Sequence, residues 1–155
     1  MKEGTMVSLR EVDEHNWPAA AALRVGDEQR GFVAPAMGIL GRAYAYRRCR
    51  AAIYAVYRTE TMVGLMMVRD LDEDPACYEL QQFMIDCRYQ GTGCGQSALR
   101  QLMQLLTQEK KYPVVEVCVN REDAAALHVY QKVGFVHSGY VDENLPECVH
   151  LVYTL

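Results

Sequence analysis

The chain has 155 residues, of which 50% are hydrophobic and 23% charged. That balance excludes a disordered segment and points to one globular domain over 1–155, long enough to bury a good core. A formal net charge of −4 lacks the basic footprint of a nucleic-acid binder and suits a cationic ligand.

No apolar run reaches the ~18 residues of a membrane span, and no leader pattern opens the chain, so a cytoplasmic protein without a membrane partner is expected. Six cysteines stand at 49, 77, 87, 94, 118 and 148. None forms a Cys-x-x-Cys pair or a Cys/His zinc spacing, which predicts reduced thiols and no metal. Cys77, Cys94, Cys118 and Cys148 lie in or beside apolar runs and are expected to be mostly buried.

In chain order, Met6 to Val12 alternates and predicts a strand. Asn16 is placed to cap a helix over roughly 17–24. Turn chemistry follows at Gly26-Asp27 and Gly31, and Pro35 suits the first turn of a second helix running to about Arg48. Residues 52–57 and Met62 to Val68, joined by Arg58 to Thr61, predict a hairpin of β-formers. Residues 70–74 form an acidic stretch expected to be a solvated turn. Tyr78 to Asp86 is the next strand.

From Gly95, Ala98, Leu99, Leu102, Leu105 and Leu106 fall on one helical face, ending near Lys110-Lys111 with Pro113 beyond. Val114 to Val119 is nearly all apolar, as in a buried parallel strand. Asp123 can cap a short helix to Lys132, with Gly134 as its stop. Phe135 to Tyr140 and Cys148 to Tyr153 close the chain. The expected order is β-α-α-β-β-β-α-β-α-β-β. It describes an α/β fold with a mixed, mostly antiparallel sheet of six or seven strands, about four helices, and one right-handed βαβ unit.

The most informative motif is Gln90-Gly91-Thr92-Gly93-Cys94-Gly95, between a strand and a helix. Glycines let the backbone approach an anion and take positive φ, and the free N–H groups of the first helical turn then face a pyrophosphate. A dinucleotide-binding fold would carry such a loop at its first βα turn, with an acid about 20 residues on. Here earlier strands precede it and no such acid follows.

Two segments resemble the GNAT superfamily of acyl-CoA-dependent N-acyltransferases. One is residues 83–95, the strand with its pyrophosphate loop. The other is residues 124–135, AAALHVYQKVGF, similar to the family's Tyr-x-x-x-Gly-Phe. The element order extends the likeness over nearly the whole chain. The resemblance implies a GNAT fold, acetyl-CoA as co-substrate, an amine acceptor and a homodimer as the common state.

It also implies roles. Phe83, Met84 and Ile85 would meet the pantetheine arm through backbone, as an added strand does. Gln90, Gly91, Thr92, Gly93, Cys94, Gly95 and Gln96 would cradle the pyrophosphate. Tyr130 would assist the leaving thiolate, and Glu79 would take the amine's proton, with Glu28 or a water chain as rivals. Glu28-Gln29-x-Gly31-Phe32-Val33-Ala34 is similar to the loop between the first two helices of bacterial spermine/spermidine acetyltransferases, which makes Glu28 and Phe32 substrate-binding candidates. Pro35-Ala36-Met37 departs from the Ser-Asn-x type usual there.

Asp123 stands where many relatives carry a donating asparagine. An ionised aspartate cannot donate, which leaves it the helix cap. The four histidines lack a base-and-nucleophile context. The expected activity is acetyl transfer to a primary amine of a small molecule, a polyamine such as spermidine or spermine first. Alternatives are a drug-like amine, a protein N-terminus, or a non-catalytic acyl-CoA sensor.

Overall fold

The computed structural model describes residues 6–155; positions 1–5 of the expected domain lie outside that description. The elements are β1 (Ser8–Glu11), α1 (Trp17–Ala21), α2 (Ala36–Ala45), β2 (Ala52–Arg58), β3 (Thr61–Leu71), β4 (Cys77–Ile85), α3 (Cys94–Glu109), β5 (Val114–Asn120), α4 (Ala124–Val133), β6 (Val136–His137) and β7 (Cys148–Thr154). Short 3-10 turns stand at Asp27–Gln29, Arg47–Cys49 and Cys87–Tyr89. The order matches the expected one, and the seven strands form one sheet in the order β1-β2-β3-β4-β5-β7-β6.

Both faces of the sheet are covered. Val63, Met66, Leu80, Val115 and Val117 bury against Leu99, Leu102 and Leu106 of α3 and Tyr130 of α4. Leu65, Met67 and Met84 bury against Ala20 of α1 and Ile39 of α2. This two-sided burial explains the near-continuous apolar runs of β3 and β5.

Several boundaries depart from expectation for identifiable reasons. The first helix stops at Ala21 because Arg24 is drawn to β4: its N–H donates to Asp86 Oδ2 (3.0 Å) and its carbonyl accepts from Cys87 N (2.9 Å). Asn16 makes no side-chain cap; its Oδ1 accepts instead from Asp13 N (2.8 Å) and its Nδ2 donates to Glu11 O (3.0 Å). The strand expected over Phe135 to Tyr140 shrinks to two residues. Phe135 is buried between the rings of Tyr130 and Tyr153, and Gly139 turns the chain with φ 82°.

The acidic stretch is not wholly solvated. Asp70 ends β3 at 3% exposure, ion-paired to Arg50 and Lys111 and accepting from Tyr112 Oη (3.1 Å).

The pairing of β3, β4 and β5 positions the cleft. β3 and β4 pair from Gly64–Ile85 to Leu71–Cys77, with a register shift so that Met67 faces Gln82 while Val68 faces Leu80, leaving Gln81 as a bulge. β4 and β5, the only parallel neighbours among the described strands, pair at Tyr78–Val115 and Glu79–Glu116. Beyond them β5 pairs with β7 along its whole length, Val114 to Asn120. The two parallel strands therefore part just past Glu79, and from Gln81 onward one edge of β4 has no ladder partner.

Candidate active site

The fork between β4 and β5 opens a cleft of about 490 Å³ walled by β4, β5, α4, the glycine loop and the segment between α1 and α2. At one mouth stands the cradle. Asp86, fully buried, accepts from Arg88 N (3.0 Å), Arg88 Nε (2.9 Å) and Arg24 N (3.0 Å), and so fixes the turn that leaves β4. Burial pushes this carboxyl up, but these donors overcome it and hold the group below the usual carboxylate range. Gly91 (φ 74°) and Gly93 (φ 87°) take left-handed backbone that a side chain would strain. The amides of Cys94, Gly95 and Gln96 precede the first intrahelical bond, Ser97 N to Gly93 O (3.1 Å). The first-turn amides of Gly95 and Gln96, at the positive end of the dipole of a 16-residue helix, border the cleft.

Gln90, Gly91, Gly93, Gly95 and Gln96 line the cleft, whereas Thr92 and Cys94 do not. Thr92 Oγ1 donates to Tyr89 O (2.6 Å), and Cys94 is buried in the core, so both side chains shape the loop from behind. The Gln90 carboxamide is committed to protein: its Nε2 donates to Ile85 O (2.8 Å) and to Gln29 Oε1 (2.9 Å).

Phe83, Met84 and Ile85 form the β4 wall. Tyr130 stands across from Phe83, its ring edge-on to Phe83 and Phe135 and 5% exposed. Burial, and after it the charge of Asp123, push the phenol's pKa up, so it keeps its proton throughout the neutral range. Asp123 caps α4 by accepting from Ala126 N (3.1 Å) and is the one carboxylate among the described residues lining the cleft. Its burial raises its pKa, against the lowering by that amide.

Of the other expected site residues, Phe32 reaches the cleft wall with Gln29 and Val33. Glu28 is exposed, with its carboxylate folded against Gly26, outside that wall. Glu79 also lies outside it. Glu79 Oε1 accepts from Arg69 Nε (2.8 Å), and the Arg69 guanidinium stacks on Tyr46 at 4.2 Å.

The structure adds residues that sequence reasoning passed over. Gln81, Cys118, Asn120 and His128 line the cleft. Gln81 Oε1 is buried and has no hydrogen-bond partner among the described residues. Cys118, expected to be buried, is exposed on the cleft side of β5, and partial desolvation of its sulfur, with Cys148 beside it, pushes the thiol's pKa up. The alternation of β5 carried the signal: Val115, Val117 and Val119 face the core, which turns Cys118 and Asn120 to the opposite face. His150 Nδ1 lies 3.4 Å from Glu116 Oε1, a pairing across β5 and β7 that chain position alone does not reveal. All six cysteines are unpaired, and among the described residues there is no cluster of metal-ligating side chains.

A glycine cradle at a helix start, a forked parallel pair and a buried phenol thus border one cleft. Residues 7–135 match the model of the Acetyltransferase (GNAT) family, and the chain belongs to that family. The spermine/spermidine N(1)-acetyltransferase of Bacillus subtilis (strain 168) is 34% identical over 83 residues, which cover 54% of this chain and 55% of that protein. The match thus spans about half the length of that relative.

Among solved structures, the spermidine N-acetyltransferase from Vibrio cholerae, in complex with CoA and spermine, superposes with a TM-score of 0.75 at 14% identity, covering 97% of this chain and 96% of that one. An aminoglycoside acetyltransferase in complex with coenzyme A gives 0.78 at 17% identity, over 96% and 94%. A Salmonella typhimurium acetyltransferase that modifies the N-terminal serine of ribosomal protein L7/L12 gives 0.70 at 15%, over 98% and 96%. At these identities the likeness establishes the fold.

Proposed function

We propose that this chain is an acetyl-CoA-dependent N-acetyltransferase that acts on a primary amine of a small molecule, a polyamine such as spermidine or spermine first. The observation that carries the reading is the β4–β5 fork with an anion cradle at its mouth and a protonated phenol inside. The first-turn amides of Gly95 and Gln96 and the positive-φ glycines fit a pyrophosphate, and the unladdered edge of β4 fits an extended amide-bearing arm.

When bound, acetyl-CoA supplies an activated acyl group on sulfur. The cradle, Gln90 to Gln96, holds its phosphates, and the backbone of Phe83, Met84 and Ile85 aligns its arm and polarises the acyl carbonyl. Tyr130, which keeps its proton, donates toward the departing sulfur. The ammonium proton leaves to water in the cleft; Glu79, held by Arg69 at the last β4–β5 pair, is the rival acceptor. Phe32 gives the acceptor an apolar wall, and the net charge of −4 favours a cation. The kinship with a spermine/spermidine acetyltransferase supports the polyamine over the drug-like amine and the protein N-terminus. Six unpaired cysteines suit a reducing compartment, the basis for placing the chain in the cytoplasm.

The test incubates purified chain with acetyl-CoA and, separately, spermidine, spermine, an aminoglycoside and a peptide with an N-terminal serine, while following free thiol. Polyamine-dependent thiol release is expected. Release only with the aminoglycoside or the peptide would transfer the assignment to that acceptor. Tight acetyl-CoA binding with no release from a broad amine panel would make the chain a sensor.

A further inference from the structure

We propose that Gln29 and Gln90 are a positioning pair that couples the pyrophosphate cradle to the acceptor-side wall of the cleft, so that filling the cradle orders residues 26–34. The inference rests on the functional reading above and deepens it.

The segment between α1 and α2 contains only the 3-10 turn Asp27–Gln29, yet it contributes Gln29, Phe32 and Val33 to the cleft. Its two ends are tied to β4. Arg24 exchanges bonds with Asp86 and Cys87, and Ala34 N donates to Gln82 Oε1 (2.9 Å). Between those anchors the link to the cradle runs through one side chain. Gln29 Oε1 accepts from Gly26 N (3.1 Å), closing its own turn, and from Gln90 Nε2 (2.9 Å). The same Gln90 nitrogen donates its other hydrogen to Ile85 O (2.8 Å) at the tip of β4.

Gln90 thus stands at a junction of three parts. Its backbone opens the cradle, one N–H holds the strand that would carry the pantetheine arm, and the other holds the acceptor loop. An anion gathered by the amides beyond Gly91 fixes the Gln90 backbone, and with it the direction of the carboxamide. The Gln29–Gln90 bond is exposed to solvent, where water competes and the net contribution of a hydrogen bond is small. It is too weak to serve as scaffold and of the right size for a coupling between neighbouring sites. The bond is also directional: position 90 must donate and position 29 must accept. Glutamate at 29 would keep both accepted bonds, whereas alanine would keep neither.

Hydrogen exchange with and without saturating coenzyme A tests this, with calorimetry on the same samples. In the native chain coenzyme A is expected to slow exchange of the 26–34 amides by about fivefold, the worth of one hydrogen bond. In Gln29→Ala that slowing disappears, coenzyme A affinity falls by no more than the same factor, and Gln29→Glu restores both. In Gln90→Ala the slowing is lost as well, and adding Gln29→Ala leaves the coenzyme A effect unchanged, because the coupling runs through their one shared bond. Slowing that persists in Gln29→Ala, or that Gln29→Glu fails to restore, overturns the pairing. A native chain that binds coenzyme A without any slowing does the same. A native chain that does not bind coenzyme A at all would remove the functional reading itself, a result calorimetry separates from the others.

Discussion

Tyr130 is held in place and kept protonated by its surroundings. Phe83 and Phe135 pack its ring edge-on, while burial and Asp123 keep the phenol protonated. Removing only the hydroxyl should leave that packing intact. Tyr130→Phe is therefore expected to lower kcat by about 100-fold, within the usual range for a proton donor, with acetyl-CoA affinity nearly unchanged. Steady-state kinetics beside calorimetry checks this, and an unchanged kcat would remove the donor role. Run in the same assay, Glu79→Gln should preserve the shape of the pH–rate profile, because Arg69 already holds that carboxylate. Loss of the acidic limb would make Glu79 the base. The chemistry-bearing types at 130 and 123 were legible because short motifs surround them. The occupation of Glu79 by Arg69 was not, since the two residues meet only through the β3–β4 register.

At the scale of elements, the site depends on how closely β3 approaches β4. A Cβ built on Gly64 would stand 2.4 Å from Met84 O and 2.8 Å from Ile85 Cδ1, so this position tolerates no side chain without moving the tip of β4. That tip carries the backbone expected to meet the pantetheine arm. Gly64→Ala should destabilise the fold by about 1–3 kcal/mol, as overpacking does, and should weaken coenzyme A binding as well. Urea unfolding and calorimetry read the two effects. A stable variant with native affinity would show that β4 can yield there.

Helices and strands whose cores are periodic were placed well from sequence, α3 and β5 among them. Elements ended by a distant partner were not. α1 stops where Asp86 draws in Arg24, and β6 starts only after Phe135 has turned into the core.

Across the whole molecule, Asp70 binds together parts far apart in sequence. It joins the end of β3 to Arg50 after α2 and to Lys111 and Tyr112 between α3 and β5. Its burial raises its pKa, but the bonds from Lys111, Arg50 and Tyr112 outweigh this and lower it below the usual carboxylate range. Asp86 is lowered in the same way by Arg88 and Arg24. A carboxylate with a depressed folded-state pKa contributes stability that is fully present above its unfolded pKa and lost as pH falls through the folded one. Unfolding free energy should therefore hold level from neutrality down to about pH 5 and decline below about pH 4. Asp70→Asn should destabilise the protein by about 1–3 kcal/mol at neutral pH, by leaving Lys111 and Arg50 without their charge partner, and should flatten that decline. Denaturant titrations at a series of pH values measure both. An unaltered slope in the variant would show that Asp70 does not carry it.

The sequence by itself determined the element order, the glycine cradle, the Asp123 cap and the family, because each rests on residues within a few positions of one another or on an apolar period. Only the tertiary structure decided which side chains share the cleft. It brought in Phe32 and Gln29, left Glu28 and Glu79 outside, and turned the Gln90 carboxamide toward protein. These outcomes depend on strand register, on the bulge at Gln81 and on the divergence of β4 from β5. All three come from backbone pairings between segments distant in the chain, which no local pattern of residues specifies.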